Sequence, residues 1–367
     1  MRLTNSSLVV LTTIIQLATC SCSSSKAKPT VTTSPNPPPG SDANADQTIG
    51  SFSAVLLSAF ADNGVNPAST DVNGTVFNGP NPQPNDELAL DPPADAMPGC
   101  VVYKGNPPNC SALNSCGAAS TNAACAAAAL TGNNICVCVD LDTCQPTPSK
   151  MNVGTVTVNG VASDAGVNSF QLLNLSNSYH VDTSATNLAY PGFAEGDPIK
   201  ITATGGDYEP FELTAQGVAP LILTNEPYNL SKDPSDAGGT TYKELYITWR
   251  PPRIAGVTRV QVELNISRHG GNVGSLQCDV EDTGSVTISA GQISQLVALG
   301  SIGGFSELVL TRTFSSSTPT RLGNIEFNVE SSDERFVTID GYISCEQPSD
   351  CPSGQVCNGG VKLCMPQ

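Results

Sequence analysis

One short segment has residue types and spacing that suit hydrolytic chemistry, Asp282-Thr283-Gly284-Ser285. A carboxylate held in such a turn can share a proton with a second carboxylate, so that one group acts as a base on water and the other as an acid. A single carboxylate cannot form that pair. Two related segments, Asp164-Ala165-Gly166 and Asp236-Ala237-Gly238, lack the hydroxyl residue and lie in turn-rich, weakly apolar surroundings.

The tetrapeptide resembles the active-site motif of the aspartic proteases, which implies a second, facing motif entered from an apolar strand. Here Glu281 directly precedes Asp282, and no second motif with the hydroxyl residue is present. We therefore predict that the segment "VEDTGSV" is a polar turn between two strands and that the protein is not an enzyme. As a turn cap, Asp282 would contribute about 1 kcal/mol of stability. A secreted hydrolase acting through Asp282 is the alternative.

Other catalytic and metal chemistries find less support in the sequence. Two histidines, His180 and His269, cannot form an H-E-x-x-H zinc site, and neither a G-x-S-x-G elbow nor a phosphate-binding loop is present. The acidic residues Asp279, Glu281 and Asp282 fit either a calcium site or, as we predict, a solvated turn. We predict no catalytic residue, no metal and no cofactor.

The arginines suggest a possible binding face. All those after Arg2 lie between Arg250 and Arg335. A basic face for a carboxylate or a sulfated glycan would use four of them, although solubilising positions explain them equally well: Arg250, Arg253, Arg259 and Arg268. Trp249 alternates with Ile247 and Leu245, so we predict that it belongs to the core rather than to a carbohydrate platform.

Composition limits the class of protein. The 367 residues suffice for about two domains, only 13 % are charged, and Gly (33) and Pro (28) are abundant. Such a chain is rich in turns and poor in long helices. The formal net charge of −17 disfavours nucleic acid as a partner, because duplex binding requires clustered Lys and Arg.

The N-terminal residues are typical of an export signal. An apolar run from Leu8 to Ala18 is too short to span a bilayer and fits the hydrophobic region of a secretory signal. Leu17-Ala18-Thr19-Cys20 is similar to the lipobox of bacterial lipoproteins, which implies acylation of Cys20. Cys22 is the alternative, since Ser21 suits the preceding position but the upstream Leu is missing; an ordinary secreted protein is a further alternative. We expect an exported protein, anchored by lipid at the outer membrane or cell surface.

The rest of the chain divides by composition. We predict a signal peptide at 1–19, a disordered tether at 20–98, a cysteine-rich module at 99–149, a β-domain at 150–344 and a cysteine-rich tail at 345–367. Within the tether, 51–60 is apolar enough for one short helix or strand. Nine alternating segments after residue 150 predict an antiparallel β-sandwich or jelly roll, with one sandwich or two left open. One helix is predicted from the cap at Ser289 to Gly300.

The cysteines are predicted to form disulfides, because Cys-x-x-Cys metal knuckles are absent and the chain carries an export signal. Twelve are assigned to bridges: Cys100, Cys110, Cys116, Cys125, Cys136, Cys138, Cys144, Cys278, Cys345, Cys351, Cys357 and Cys364. The seven from Cys100 to Cys144 are an odd number, so one must bond beyond residue 277. Cys278 is one partner if the tail closes on itself; otherwise Cys278 pairs with Cys345 and an N-terminal thiol bonds to the tail.

A family resemblance rests on the C-terminal residues. The tail contains Cys351-Pro-x-Gly-Gln-x-Cys357 and a final Cys364, and "LNISRHGGNVGSLQCDVEDTGSVTI" precedes it. Together they resemble exported myxobacterial-type lipoproteins over roughly 150–367. The resemblance implies location and a β-fold and leaves the biochemical role unassigned. The partners we expect are the membrane, through the lipid anchor, and a surface glycan or protein ligand.

Overall fold

The structure is a computed structural model that describes residues 47–59, 66–106, 125, 136–140, 143–226, 229–236, 238–268, 273–300, 305–343, 345, 347–358 and 363–366. The predicted signal peptide, Cys20, Cys22, Cys110, Cys116 and His269 lie outside these residues, as does the tether up to residue 46.

The described part of the chain is mainly β, as predicted. The strands of its first half are β1 (Thr48–Leu57), β2 (Ser69–Val76), β3 (Glu87–Ala89), β4 (Cys100–Gly105), β5 (Cys136–Asp140), β6 (Thr143–Pro146), β7 (Val156–Asn159), β8 (Ser169–Leu175), β9 (Ser178–Val181), β10 (Pro198–Ala203) and β11 (Phe211–Gln216). Those of its second half are β12 (Asn229–Leu230), β13 (Leu245–Thr248), β14 (Arg259–Arg268), β15 (Gly274–Glu281), β16 (Ser285–Ile288), β17 (Phe305–Thr320), β18 (Gly323–Phe336), β19 (Thr338–Ile339), β20 (Gln355–Asn358) and β21 (Leu363–Pro366). A helix, α1 (Ala290–Val297), and a 3-10 turn at Pro348–Asp350 complete the elements.

Thirteen of these strands form one large sheet in the order β11-β10-β7-β8-β9-β2-β1-β18-β17-β14-β15-β4-β3. Neighbours in this sheet are antiparallel except β1 and β18, which run parallel, so the sheet is mixed rather than purely antiparallel. Four two-stranded sheets accompany it: β12-β19, β13-β16, β20-β21 and β5-β6.

The predicted boundaries at the N-terminal side are wrong. Residues 20–98 were expected to form a tether, but β1 and β2 lie near the middle of the large sheet, and β3 closes one of its ends. Residues 99–149 were expected to form a separate module, but Cys100–Gly105 is a strand of the same sheet. The alternation in Thr48–Leu57 buries every second side chain, which explains why this segment is a core strand.

The buried apolar side chains form two cores, built from the large sheet and, in the second core, also from β13, β16 and α1. The first core contains Phe52, Val158, Ile201, Leu213 and Phe327 among others. The second contains Trp249, Leu264, Leu276, Ile293 and Leu310 among others. The sequence left open whether the β-domain is one sandwich or two. The structure has two hydrophobic cores, and one continuous thirteen-stranded sheet contributes to both.

The long hairpin β17–β18 contributes to both cores. Leu308 and Leu310 of β17 pack in the second core, whereas Ile325 and Phe327 of β18 pack in the first. Around the first core the sheet curls, so that β11 approaches β17. Ser316 Oγ and Thr318 Oγ1 of β17 donate to backbone carbonyls of β11 at 2.8 and 3.0 Å. These side chains cover an edge that would otherwise be open to another strand.

The single predicted helix is present and begins at the predicted cap Ser289, but it ends at Val297 with Ala298 as its C-cap, two residues before the predicted cap Gly300. Ser289 Oγ accepts a hydrogen bond from the N–H of Gln292 at 3.1 Å, and Gly300 takes a φ of +85° just beyond the C-terminus. The Gln292 side chain is buried and donates to the carbonyl of Cys100 at 3.0 Å, which ties α1 to β4. Within the described residues, no helix is long and apolar enough to cross a membrane.

Candidate functional site

The segment Asp282-Thr283-Gly284 turns the chain between two sheets. β15 ends at Glu281 in the large sheet, and β16 begins at Ser285 and pairs with β13. Gly284 has a φ of +100°, and its carbonyl accepts a hydrogen bond from Trp249 N–H at 2.9 Å. The predicted turn is therefore present, and glycine is required there because side chains rarely adopt this backbone conformation.

The side chain of Asp282 is turned inward rather than towards solvent. Its carboxylate is 1 % exposed and forms an ion pair with the equally buried guanidinium of Arg312. Four hydrogen bonds reach it, from Trp249 Nε1 (2.7 Å) and Arg312 Nη2 (3.1 Å) to Oδ1, and from Thr258 Oγ1 (2.7 Å) and Arg312 Nε (2.5 Å) to Oδ2. Both oxygens of the carboxylate are thus fully hydrogen-bonded by protein groups, which replace water.

The hydrogen-bond donors of the Arg312 guanidinium are also fully paired. Besides its two bonds to Asp282, it donates through Nη1 to the carbonyls of Ala219 (3.0 Å) and Pro220 (3.2 Å), and through Nη2 to that of Arg250 (2.7 Å). All five N–H groups of the guanidinium have acceptors. The ion pair therefore joins β17, the β15–β16 corner and two crossing segments of the chain.

The electrostatics of Asp282 favour a permanently charged carboxylate. Burial alone raises its pKa, but the hydrogen bonds from Arg312, Thr258 and Trp249 and the charge of Arg312 outweigh burial and hold the pKa below its usual range. A proton-sharing dyad requires a second carboxyl against the first. None of the hydrogen-bond donors to Asp282 within the described residues is a carboxyl, so the geometry favours a structural role for this residue.

Arg312 was not singled out from the sequence, although a signal was present. In β17 it continues the inward-facing series of Leu308 and Leu310, a position where a long charged side chain must find a buried partner. Opposite it on β18 lies the buried Ser331, whose Oγ accepts from the N–H of Leu221 at 2.8 Å. A polar layer thus separates the two cores on the inner face of the hairpin.

A second buried carboxyl, Asp333, lies two residues further along β18. It is 3 % exposed, and its Oδ2 accepts from Arg335 Nη2 at 3.0 Å. Burial raises the pKa of Asp333 to about 6, while the charge of Arg335 and the Ser58 hydroxyl oppose this rise. No sequence signal marked Asp333, because its raised pKa results from burial of the carboxyl group in the folded hairpin.

The proposed basic face does not form as a set of unpaired cations. Arg253 pairs with Glu195 (Nε to Oε2, 3.1 Å), and Arg259 pairs with Asp279 (Nε to Oδ1, 2.5 Å). Arg250 is exposed, and the side chain of Arg268 lies outside the described residues. Trp249 is 2 % exposed in the second core, as predicted.

Two of the three acidic residues considered for a calcium site are paired with arginines, and the prediction of a solvated turn is wrong for Asp282, which is buried. Of the acidic cluster, Asp279 binds Arg259 and Asp282 binds Arg312, while Glu281 is exposed. His180 lies exposed on β9. Three tail sulfurs, of Cys345, Cys351 and Cys357, lie within 4.8 Å of one another, but each belongs to a disulfide and offers no thiolate.

The disulfides follow one of the two predicted arrangements. Cys100 bonds to Cys278, which joins the N-terminal cluster to the β-domain, and the alternative pairing of Cys278 with Cys345 is wrong. The tail closes on itself through Cys345–Cys357 and Cys351–Cys364. In the N-terminal cluster Cys125 bonds to Cys136, and Cys138 and Cys144 are also disulfide-bonded.

Comparison with known proteins adds no assignment. The sequence matches no protein-family model, and no curated protein is significantly similar to it.

Proposed function

We propose that the protein is an exported bacterial lipoprotein, anchored at the outer membrane or cell surface, with a structural, adhesive or ligand-binding role and no catalysis. The observation that supports export best is the state of the cysteines. Every cysteine in the described part of the chain is disulfide-bonded. Disulfides of this density persist in oxidising compartments and are rare in the reducing cytosol.

The anchor is inferred from Leu17-Ala18-Thr19-Cys20 and from the similarity of the C-terminal region to myxobacterial-type lipoproteins. Acylation of the cysteine would supply several hydrocarbon chains, and each buried methylene contributes about 0.8 kcal/mol to membrane partition. Two or more chains suffice for stable attachment. Residues 47 onwards would then be held at the membrane by the intervening segment.

The non-catalytic role is supported by the surroundings of Asp282. A carboxylate that accepts four hydrogen bonds and pairs with a buried arginine has no spare lone pair aimed at solvent or substrate. The alternative of an aspartic-protease-like hydrolase requires this residue to exchange a proton with a second carboxyl. We find no observation that favours it.

Expression of four proteins in a bacterial host tests the anchor: the wild type, Cys20→Ala, Cys22→Ala and the double variant. We expect palmitate labelling and membrane sedimentation of the wild type and of Cys22→Ala, and release of Cys20→Ala and the double variant into the soluble exported fraction. Cys22→Ala is the matched control, two residues away. Membrane sedimentation of the double variant in the absence of label would refute lipid anchoring.

A further inference from the structure

The joint between the two cores contains a hydroxyl that lies between two acceptors. The chain passes from the first core at Val218 to the second at Leu221, and we call 219–222 the crossing segment. Ser58, directly after β1, donates from Oγ to the carbonyl of Leu221 at 3.4 Å, which is long for an O–H···O hydrogen bond. The same hydroxyl is within hydrogen-bonding reach of the Asp333 carboxyl group on β18. A serine hydroxyl has one proton, so it cannot donate to both acceptors at once.

Asp333 lies in surroundings that do not satisfy a charged carboxylate. Its side chain is 3 % exposed, and Oδ2 accepts from Arg335 Nη2 at 3.0 Å, but Oδ1 is buried and has no hydrogen-bond partner within the described residues. The carboxylate of Asp282, in contrast, accepts four hydrogen bonds. A buried oxygen without a donor costs more when its group is charged. Burial therefore favours the neutral carboxyl of Asp333, and Ser58 is the additional donor within reach when that carboxyl ionises.

Few charged groups surround Asp333. On its own strand Arg335 is its ion-pair partner, and Glu334 lies on the opposite face of the sheet. On β17 the charged residue of the same face is Arg312, whose guanidinium is already paired with Asp282. Neither β1 nor the crossing segment contains a charged residue. Burial, Arg335 and the Ser58 hydroxyl therefore decide the protonation state of Asp333.

The two protonation states of Asp333 give the Ser58 proton different acceptors. A protonated carboxyl can donate to Ser58 Oγ, which leaves the Ser58 proton to the carbonyl of Leu221. A carboxylate only accepts, and a charge-assisted hydrogen bond to it is roughly twice as strong as a bond to a neutral carbonyl. When Asp333 loses its proton to solvent, the hydroxyl therefore turns towards Asp333 and the Leu221 carbonyl loses this donor. The N–H of Leu221 keeps its hydrogen bond to Ser331 Oγ at 2.8 Å.

We propose that Ser58 is a proton-controlled switch at the joint between the cores, which donates to Leu221 while Asp333 is protonated and to Asp333 once that residue ionises. Burial raises the pKa of Asp333 to about 6, so the contact with Leu221 is present in mildly acidic surroundings and is lost as the pH rises through that value. The crossing segment is therefore held more tightly in acid than at neutral pH. The switch goes beyond the proposed function and does not depend on the lipid anchor.

Amide hydrogen exchange and carboxyl NMR titration of the full chain test the switch. Between about pH 4.5 and about pH 7.5, protection of the Leu221 N–H, corrected for intrinsic exchange, should fall about three- to tenfold, because a hydrogen bond that holds this residue is lost. In Asp333→Asn, which cannot ionise, the protection should not change with pH. In Ser58→Ala the protection should also be constant, and the Asp333 titration should move to higher pH because the charged carboxylate has lost a donor.

Ser53→Ala is the matched control, since Ser53 is also a serine of the β1 segment but donates from Oγ to Asn73 at 3.0 Å. Its Leu221 exchange and its Asp333 titration should match those of the wild type. The switch is overturned if Leu221 protection in the wild type is constant with pH, or if it changes to the same extent in Asp333→Asn. An Asp333 titration that Ser58→Ala leaves unchanged overturns it as well.

Discussion

At the scale of single residues, the stability of the protein should be sensitive to the loss of either partner of the buried pair Asp282–Arg312, whose side chains are 1 % and 0 % exposed. Removal of one partner of a buried ion pair leaves an uncompensated charge and typically costs about 3–5 kcal/mol. Asp282→Ala should therefore destabilise the protein by that amount, well above the 1 kcal/mol expected of a turn cap. Urea unfolding followed by circular dichroism measures the change.

Arg312→Leu and the double variant serve as controls for this prediction. Each single substitution strands one charge in a site where both side chains are 0–1 % exposed. The double variant removes both charges, so its loss of stability should be clearly smaller than the sum of the two single losses. Additive losses, or a loss near 1 kcal/mol for Asp282→Ala, would contradict the assignment of Asp282 as a buried structural partner.

Asp333 gives the protein a pH dependence of the opposite sign to that of Asp282. Its pKa is raised to about 6 in the folded protein, so its contribution to stability is full below the unfolded pKa of about 4 and is lost as the pH rises through 6. The pKa of Asp282 is lowered instead, so its contribution is present at neutral pH and is lost in acid, as the pH falls through its lowered folded pKa.

Asp333→Asn removes the first of these titrations without changing the shape of the side chain. Between pH 4.5 and 7.5 the stability of the variant relative to the wild type should rise by about 2 kcal/mol. Asp91→Asn, an exposed aspartate, is the control and should follow the wild type. Parallel pH profiles for Asp333→Asn and the wild type would show that Asp333 titrates normally.

At the scale of elements, alternation predicted the strands after residue 150 well, because one face of each strand packs on a core. β2 was missed for a specific reason. It has two large inward apolar residues, Val72 and Val76, and the inward position between them is Gly74. A Cβ on Gly74 would lie 2.1 Å from the ring of Phe52. The aromatic ring of β1 fills the space that a β2 side chain would occupy, so the alternation in β2 is incomplete.

The sequence predicted many of the strands, but it did not predict which distant strands pair with each other. β1 pairs in parallel with β18, with Phe52 opposite Phe327, and no local pattern specifies such a partner. A disulfide from the 100–144 cluster to a residue beyond 277 could be anticipated because cysteine parity is a global constraint, but parity did not identify Cys100 as the cysteine that bonds to Cys278. The turn at Asp282 could be predicted from its residue types. The burial of its carboxylate could not, because its partner Arg312 lies 30 residues away in another strand.

At the scale of the whole molecule, two cores share one hairpin and one polar junction. β17 and β18 pair continuously from Glu307 opposite Phe336 to Thr320 opposite Gly323. Arg312 lies within this hairpin and binds the segment that crosses from one core to the other at Ala219 and Pro220. Separation of the cores would break the hairpin and expose the ion pair, so we expect them to unfold together.

A substitution in the first core, read by a probe in the second, tests this coupling. Trp249 is the single Trp and packs in the second core, whereas Ile201 is fully buried in the first. Ile201→Ala should cost about 2–5 kcal/mol and lower the urea midpoint of Trp249 fluorescence as much as that of circular dichroism. Leu264→Ala, in the second core, is the control for the size of the fluorescence response. A fluorescence midpoint that Ile201→Ala leaves at the wild-type value would mean that the two cores unfold independently. The loss of stability in the first core would then not reach the second core through the hairpin.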